Sequence, residues 1–201
     1  MLDSKIRGAW DAAMRPVGRA LGATRISPNA ITVLGLLIHV VVGVLIVQGR
    51  FVQAGLVLIL GALFDTLDGA VAKARNMVSR FGGFLDSTLD RLADAIILVA
   101  IAWRFTEAAG PAEEDLRWVA MAALVALVAG FLVSYVRARA EALGFECKVG
   151  IAERAERVII LIVGLVITYV LPLAVGLLAV LATVTVLQRI FHVRAQAARD
   201  A

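Results

Sequence analysis

Cysteine and histidine are nearly missing from this chain. Its one cysteine, Cys147, excludes an intrachain disulfide. Its two histidines, His39 and His192, lie in separate apolar stretches without metal-ligand spacing, and both read as packing or interfacial residues. There is no internal repeat and no low-complexity tract. Residues 1–28 lack both a long apolar core and a clear cleavage site, which argues against a cleaved signal peptide. Acidic residues are missing from most of the apolar sequence. What remains is hydrophobic: 61% of the 201 residues, with a mean hydropathy of +0.91. A soluble domain of this size must present a polar exterior, so the composition describes a polytopic membrane protein.

Six apolar stretches stand out, at roughly 29–48, 51–72, 84–104, 117–136, 158–172 and 173–192. Each is near the ~20 residues that cross a bilayer core, with the fifth at the short end. Basic residues orient them. Lys5, Arg7, Arg15, Arg19 and Arg25 precede the first stretch, and Lys73, Arg75 and Arg80 separate the second from the third. Arg137, Arg139, Lys148, Arg154 and Arg157 lie between the fourth and fifth. The other side has Arg50, Arg104 and Arg117 beside the acidic run Glu113-Glu114-Asp115. The positive-inside rule therefore predicts both termini in the cytoplasm.

In residues 1–28, Ile6, Trp10, Met14 and Val17 share one helical face, with Lys5, Arg15 and Arg19 elsewhere. This predicts an amphipathic helix on the inner leaflet, although Pro16 argues against an unbroken one. Ser27-Pro28-Asn29 is expected to separate it from the first span. The fold class expected is an all-α integral membrane protein, with six transmembrane helices preceded by an N-terminal amphipathic interfacial helix. Its divisions are a cytoplasmic juxtamembrane segment at 1–28, a six-helix domain at 29–195 and a cytoplasmic tail at 196–201. The net charge is +4, its distribution is more telling than the sum, and no nucleic-acid partner is expected.

Four aspartates occupy this apolar setting, where ionised carboxylates are expensive and usually functional. Asp65 and Asp68 are i,i+3 near the end of the second stretch, and Asp86 and Asp90 are i,i+4 near the start of the third. On helices each pair shares a face. A short connection makes the two helices expected neighbours, and all four carboxylates fall at similar depth toward the cytoplasm. Left alone they would repel; two Mg2+ or Mn2+ ions would neutralise them, and such ions stabilise phosphoryl transfer by binding phosphate oxygens. A cation pathway would instead spread carboxylates through the bilayer depth and carry paired repeats. A membrane phosphohydrolase would more naturally bring histidine ligands or a nucleophile motif.

The run Asp65-Thr66-Leu67-Asp68-Gly69-Ala70-Val71-Ala72-Lys73, then Gly82, Asp86 and Asp90, resembles the CDP-alcohol phosphatidyltransferase signature D-x-x-D-G-x-x-A-R-x8-G-x-x-x-D-x-x-x-D. Only Lys73 departs from it, keeping arginine's charge but not its bidentate fork. The resemblance implies that Asp65, Asp68 and Asp86 ligate two metal ions. It implies that Asp90 touches the second ion and takes the proton from the attacking hydroxyl. It also implies that Asp68, Gly69 and Lys73 contact CDP-diacylglycerol, with Ser79, Asn29, Ala30, Ile31 and Thr32 as further contacts, and that the protein is a homodimer of the cytoplasmic membrane.

Ser134-Tyr135-Val136-Arg137-Ala138-Arg139-Ala140-Glu141 and Glu153-Arg154-Ala155-Glu156-Arg157 bear on the acceptor. Such arginines serve as headgroup anchors or as an anion pocket beside the metals. The two segments resemble S-Y-x-K-A-R-A-E and E-R-P-E-R of the actinobacterial subset of the family that makes phosphatidylinositol phosphate. That resemblance implies that Arg137, Arg157 and Arg189 hold the phosphate of a phosphorylated polyol, inositol phosphate first, with glycerol 3-phosphate the alternative.

Overall fold

The computed structural model describes residues 27–74, 79–107, 116–151 and 153–200. The amphipathic segment expected at 1–28 therefore lies, but for its last two residues, outside the described residues. Every regular element among the described residues is helical, with no strand. In chain order the helices are α1 (Pro28–Val47), α2 (Phe51–Ala74), α3 (Arg80–Glu107), α4 (Arg117–Ala142), α5 (Arg154–Val166) and, after a 3-10 turn at Thr168–Val170, α6 (Leu171–Asp200).

Their ends follow local chemistry. Ser27 caps α1, its Oγ accepting from the Ala30 N–H at 3.2 Å, with Pro28 in the first turn where no N–H is needed. At the end of α1, Gly49 takes φ +73°. The Arg50 and Gly49 N–H groups then close back onto the Leu45 and Ile46 carbonyls. Gly144, at φ +88°, ends α4 in the same way, with Phe145 N–H on the Ala140 carbonyl. The fifth apolar stretch breaks earlier than the sequence implies: α5 stops at Val166, and Pro172 sits in the first turn of α6. At its far end α6 runs without interruption through residues assigned to a tail.

Among the described residues, three segments are long and apolar enough to cross a membrane: Asn29–Val47, Arg117–Ala142 and Thr168–Arg199. In α2 only Phe51–Phe64 is uniformly apolar, because its last third carries Asp65 and Asp68. The first turns of α3 carry Asp86 and Asp90. Large apolar side chains such as Leu37, Leu56, Val128 and Leu173 face outward. Water would not tolerate so much exposed apolar surface, whereas lipid requires it. Inside, Ile46, Leu58, Ile97, Val119, Leu165 and Val175 form one core. Thr106, Thr183 and Thr185 donate to carbonyls four residues back, which keeps these hydroxyls from lying bare in hydrocarbon.

The short α2–α3 connection does not make these two helices close partners along their described lengths. Instead α1 packs against both, α3 against α4, α4 against α6, and α5 against α2 and α6. Small residues allow this. A Cβ on Gly43 of α1 would meet Ile96 of α3 at 2.8 Å, and one on Gly61 of α2 would meet the His39 ring at 3.1 Å. His39 is a packing residue, buried, with Nδ1 donating to the Gly35 carbonyl.

Candidate active site

Asp86 and Asp90 share one face of α3, and both line a cavity of about 980 Å³ bounded by α3, α4, α5 and α6. Arg137 of α4, Arg157 of α5 and Arg189 of α6 line the same cavity. Three arginines singled out on three separate segments thus converge on the aspartates. The two aspartates come from α3, with Arg91 beside them, and the three arginines come from α4, α5 and α6, where Arg154, Glu141 and Glu153 also line the cavity.

The contacts inside it are specific. Asp90 Oδ1 lies 3.0 Å from Arg154 Nη2, and its Oδ2 lies 3.9 Å from Arg91 Nη1. Arg137 Nε donates to Glu141 at 2.9 Å, one turn along α4. Arg157 Nη2 lies 3.1 Å from Asp94. Arg189 is 3% exposed. Its Nε donates to the Val149 carbonyl at 2.9 Å and its Nη1 to the Val133 carbonyl. Arg189 therefore ties the loop between α4 and α5 to the bundle while facing the cavity. Gln196 adds a second tie, exchanging hydrogen bonds with the main chain of Glu146 at 3.0 and 2.6 Å.

Gly150 makes the first tie possible. Its φ is +146°, and a Cβ there would stand 2.6 Å from Thr185 Cγ2. Gly150→Ala is expected to destabilise the protein by about 2 kcal/mol, read as a lowered unfolding temperature in detergent.

The residues expected to contact the nucleotide divide. Ser79 Oγ accepts from Gly82 N–H at 2.9 Å and caps α3. A Cβ on Gly82 would lie 3.1 Å from that oxygen and 3.5 Å from Asn29 Oδ1, so the starts of α1 and α3 adjoin. Ala30 is exposed and Thr32 half-buried, whereas Ile31 turns into the core. Asp65, Asp68, Gly69 and Lys73 lie on the last third of α2, their backbone helical. Their side chains lie outside the described residues.

Arg154 and Asp94 were not among the sequence-derived site residues. A signal for Arg154 was present. With Arg157 it occupies the first turns of α5, where the helix dipole disfavours cations. A local rule broken in this way is expected where function overrides helix stability.

Asp86 and Asp90 supply hard carboxylate oxygens with no soft ligand beside them, a donor set that fits Mg2+ or Mn2+ and not a thiophilic ion. A multi-pass helical protein with acids facing arginines across one cavity is a membrane enzyme for phosphate-bearing substrates. Residues 25–190 match the family model described as CDP-alcohol phosphatidyltransferase. The chain belongs to that family.

Its relatives agree across nearly full length. An archaetidylinositol phosphate synthase of Pyrococcus horikoshii is 38% identical over 192 residues, covering 95% of this chain and 96% of the relative. A phosphatidylinositol phosphate synthase of Cutibacterium acnes is 38% identical over 202 residues, covering 94% and 95%. The crystal structure of Mycobacterium tuberculosis phosphatidylinositol phosphate synthase with CDP-DAG bound superposes with a TM-score of 0.80 at 32% identity, covering 90% of this chain and 92% of that one. The same mycobacterial enzyme in complex with manganese and citrate gives a TM-score of 0.82.

Proposed function

We propose that this protein transfers the phosphatidyl group of CDP-diacylglycerol to inositol phosphate, releasing CMP. One observation carries the acceptor: Arg137, Arg157 and Arg189 line the cavity that holds Asp86 and Asp90. Two similar relatives, named for archaetidyl and phosphatidyl products, differ in the lipid part of the name and share inositol phosphate. The polar acceptor is what such a cavity selects. A serine-using site has no phosphate to neutralise and no need of several guanidinium groups.

The fuller reading has six spans, a cytoplasmic active site in the cytoplasmic membrane, an amphipathic segment at residues 1–28 and a homodimer. Asp65, Asp68, Asp86 and Asp90 hold two Mg2+ ions, or Mn2+ in their place. When bound, these ions neutralise charge on the diphosphate and on the leaving phosphate. Asn29, Ala30, Ile31, Thr32, Asp68, Gly69, Lys73 and Ser79 form the nucleotide side, and the arginines orient the acceptor. Asp90 takes the proton of the acceptor hydroxyl as its oxygen bonds to the β-phosphorus. The bond from the β-phosphorus to the bridging oxygen breaks, and CMP leaves with the electron pair. Arg154 steadies the Asp90 carboxylate from the acceptor side.

The test is CMP release by the purified protein with CDP-diacylglycerol, Mg2+ and, separately, inositol phosphate, glycerol 3-phosphate, inositol and serine. Release with inositol phosphate alone supports the reading; preference for glycerol 3-phosphate overturns the acceptor but keeps the reaction. Chelation by excess EDTA is expected to abolish release, and added Mg2+ or Mn2+ to restore it.

A further inference from the structure

Asp94 belongs to neither the metal ligands nor the three acceptor arginines, and it does not line the large cavity. It lies one turn beyond Asp90 on the same face of α3. There it lines a separate void of about 20 Å³, together with Arg157, Gly130, Arg91 of its own helix and apolar residues of α3, α4, α5 and α6. Arg157 lines both spaces. Its side chain is 12% exposed, with Nη2 lying 3.1 Å from Asp94 Oδ2. On the α4 side, a Cβ on Gly130 would stand 2.8 Å from Nη1 of the same guanidinium. The Nε of Arg157 is buried with no hydrogen-bond partner among the described residues. Charge on one side and clearance on the other thus define where this guanidinium sits.

We propose that Asp94 and Gly130 form a seat that positions Arg157 for the acceptor phosphate, and so set the preference for phosphorylated acceptors. This rests on the function proposed above. An arginine is a long, flexible side chain, and holding it in place before substrate arrives removes an ordering penalty from binding. The guanidinium has five N–H donors in a planar fork, so a carboxylate behind it leaves donors for a phosphate in front. Asp94 touches no substrate and acts through Arg157, as a positioning residue.

The opposite physical effect is also defined. If Asp94 did no more than compete with phosphate for the charge of Arg157, its removal would tighten acceptor binding. A seat predicts weaker binding.

The experiment is steady-state CMP release by wild type, Asp94→Asn, Gly130→Ala, Arg157→Ala and the Asp94→Asn/Arg157→Ala double variant, varying inositol phosphate and CDP-diacylglycerol in turn. Asp94→Asn is expected to raise KM for inositol phosphate about tenfold, within the range for coupled neighbours. The KM for CDP-diacylglycerol and kcat should stay within about twofold of wild type, because neither reports on Arg157. Gly130→Ala should give the same split. Alanine favours the helix more than glycine, and the atom displaced is the tip of a flexible side chain, so its unfolding temperature should not fall. A raised KM in a protein no less stable than wild type cannot come from misfolding. In the Arg157→Ala background, Asp94→Asn should add nothing.

An unchanged or lowered KM for inositol phosphate in Asp94→Asn overturns the seat. So does an equal rise in both KM values, or an effect that persists without Arg157. If wild type uses a different phosphorylated acceptor, the proposed function fails and the same comparisons on that acceptor decide the seat. If it uses only unphosphorylated acceptors, both fall.

Discussion

Asp90→Asn is expected to lower CMP release by about 10³-fold while leaving the protein folded and able to bind CDP-diacylglycerol. A positioned general base contributes roughly 10²- to 10⁴-fold, and Asn keeps the shape of Asp while removing its ability to take a proton. The fold should survive because Asp90 lies at the cavity wall, and its pairs with Arg154 and Arg91 are partly exposed. Such pairs stabilise by about 1 kcal/mol or less. Asp86→Asn provides the contrast. It lies one turn earlier on the same face and, in the proposed reading, only ligates metal. Its defect should shrink as Mg2+ is raised, whereas that of Asp90→Asn, which loses a metal ligand and the proton acceptor together, should shrink only in part and leave a large defect at saturating Mg2+. Rates at several Mg2+ concentrations for both variants separate the roles. An Asp90→Asn enzyme retaining a tenth of wild-type activity would remove Asp90 from proton transfer.

The helical character was legible because each apolar run is long and punctuated by side chains with one conformational meaning. Ser27-Pro28 marks the start of α1 in the sequence and caps it in the structure. The break between α5 and α6 was less legible, because residues 158–192 are apolar almost without relief. Pro172 alone hints that a helix begins near it. Packing order was legible only in part. Chain connection suggested that α2 and α3 adjoin at the ends carrying the aspartates, where the α2 side chains lie outside the described residues; along the rest of their lengths α1 lies against both, with Gly43 and Gly61 permitting the contact. A glycine in a sequence does not announce which neighbour will use the space.

At the site, the residue types announced the chemistry and the fold supplied the pairing. Asp86 and Asp90 could be placed on one face from their spacing alone. That Arg157 leans on Asp94, and Arg154 on Asp90, depends on the approach of α5 to α3. No local pattern encodes that approach.

Arg189→Ala is expected to destabilise the protein by about 3 kcal/mol and to weaken acceptor binding at the same time. Arg189 could be read from the sequence only as a cation within reach of a phosphate; the structure gives it a second task. It is buried, and its fork joins the Val149 carbonyl of the α4–α5 loop to the Val133 carbonyl of α4. Losing it leaves the Val149 carbonyl without this donor, a loss of about 1–3 kcal/mol, and opens a cavity besides. Arg189→Lys keeps the charge but not the two-pronged reach, so it should restore part of the acceptor affinity and little of the stability. The loop leads directly into Arg154 and Arg157, so loosening it also unsettles the acceptor side. Cys147, fully buried in this loop and the chain's one thiol, reports its opening. A loss of about 3 kcal/mol in local stability should raise the rate of thiol labelling about 100-fold, at roughly 1.4 kcal/mol per factor of ten. If Cys147 in Arg189→Ala reacts at the wild-type rate while KM for inositol phosphate rises, Arg189 is a phosphate ligand and not a strut. Faster labelling in both Arg189→Ala and Arg189→Lys, with a KM for inositol phosphate that rises in Arg189→Ala and partly recovers in Arg189→Lys, establishes that one buried guanidinium fixes the loop and faces the acceptor.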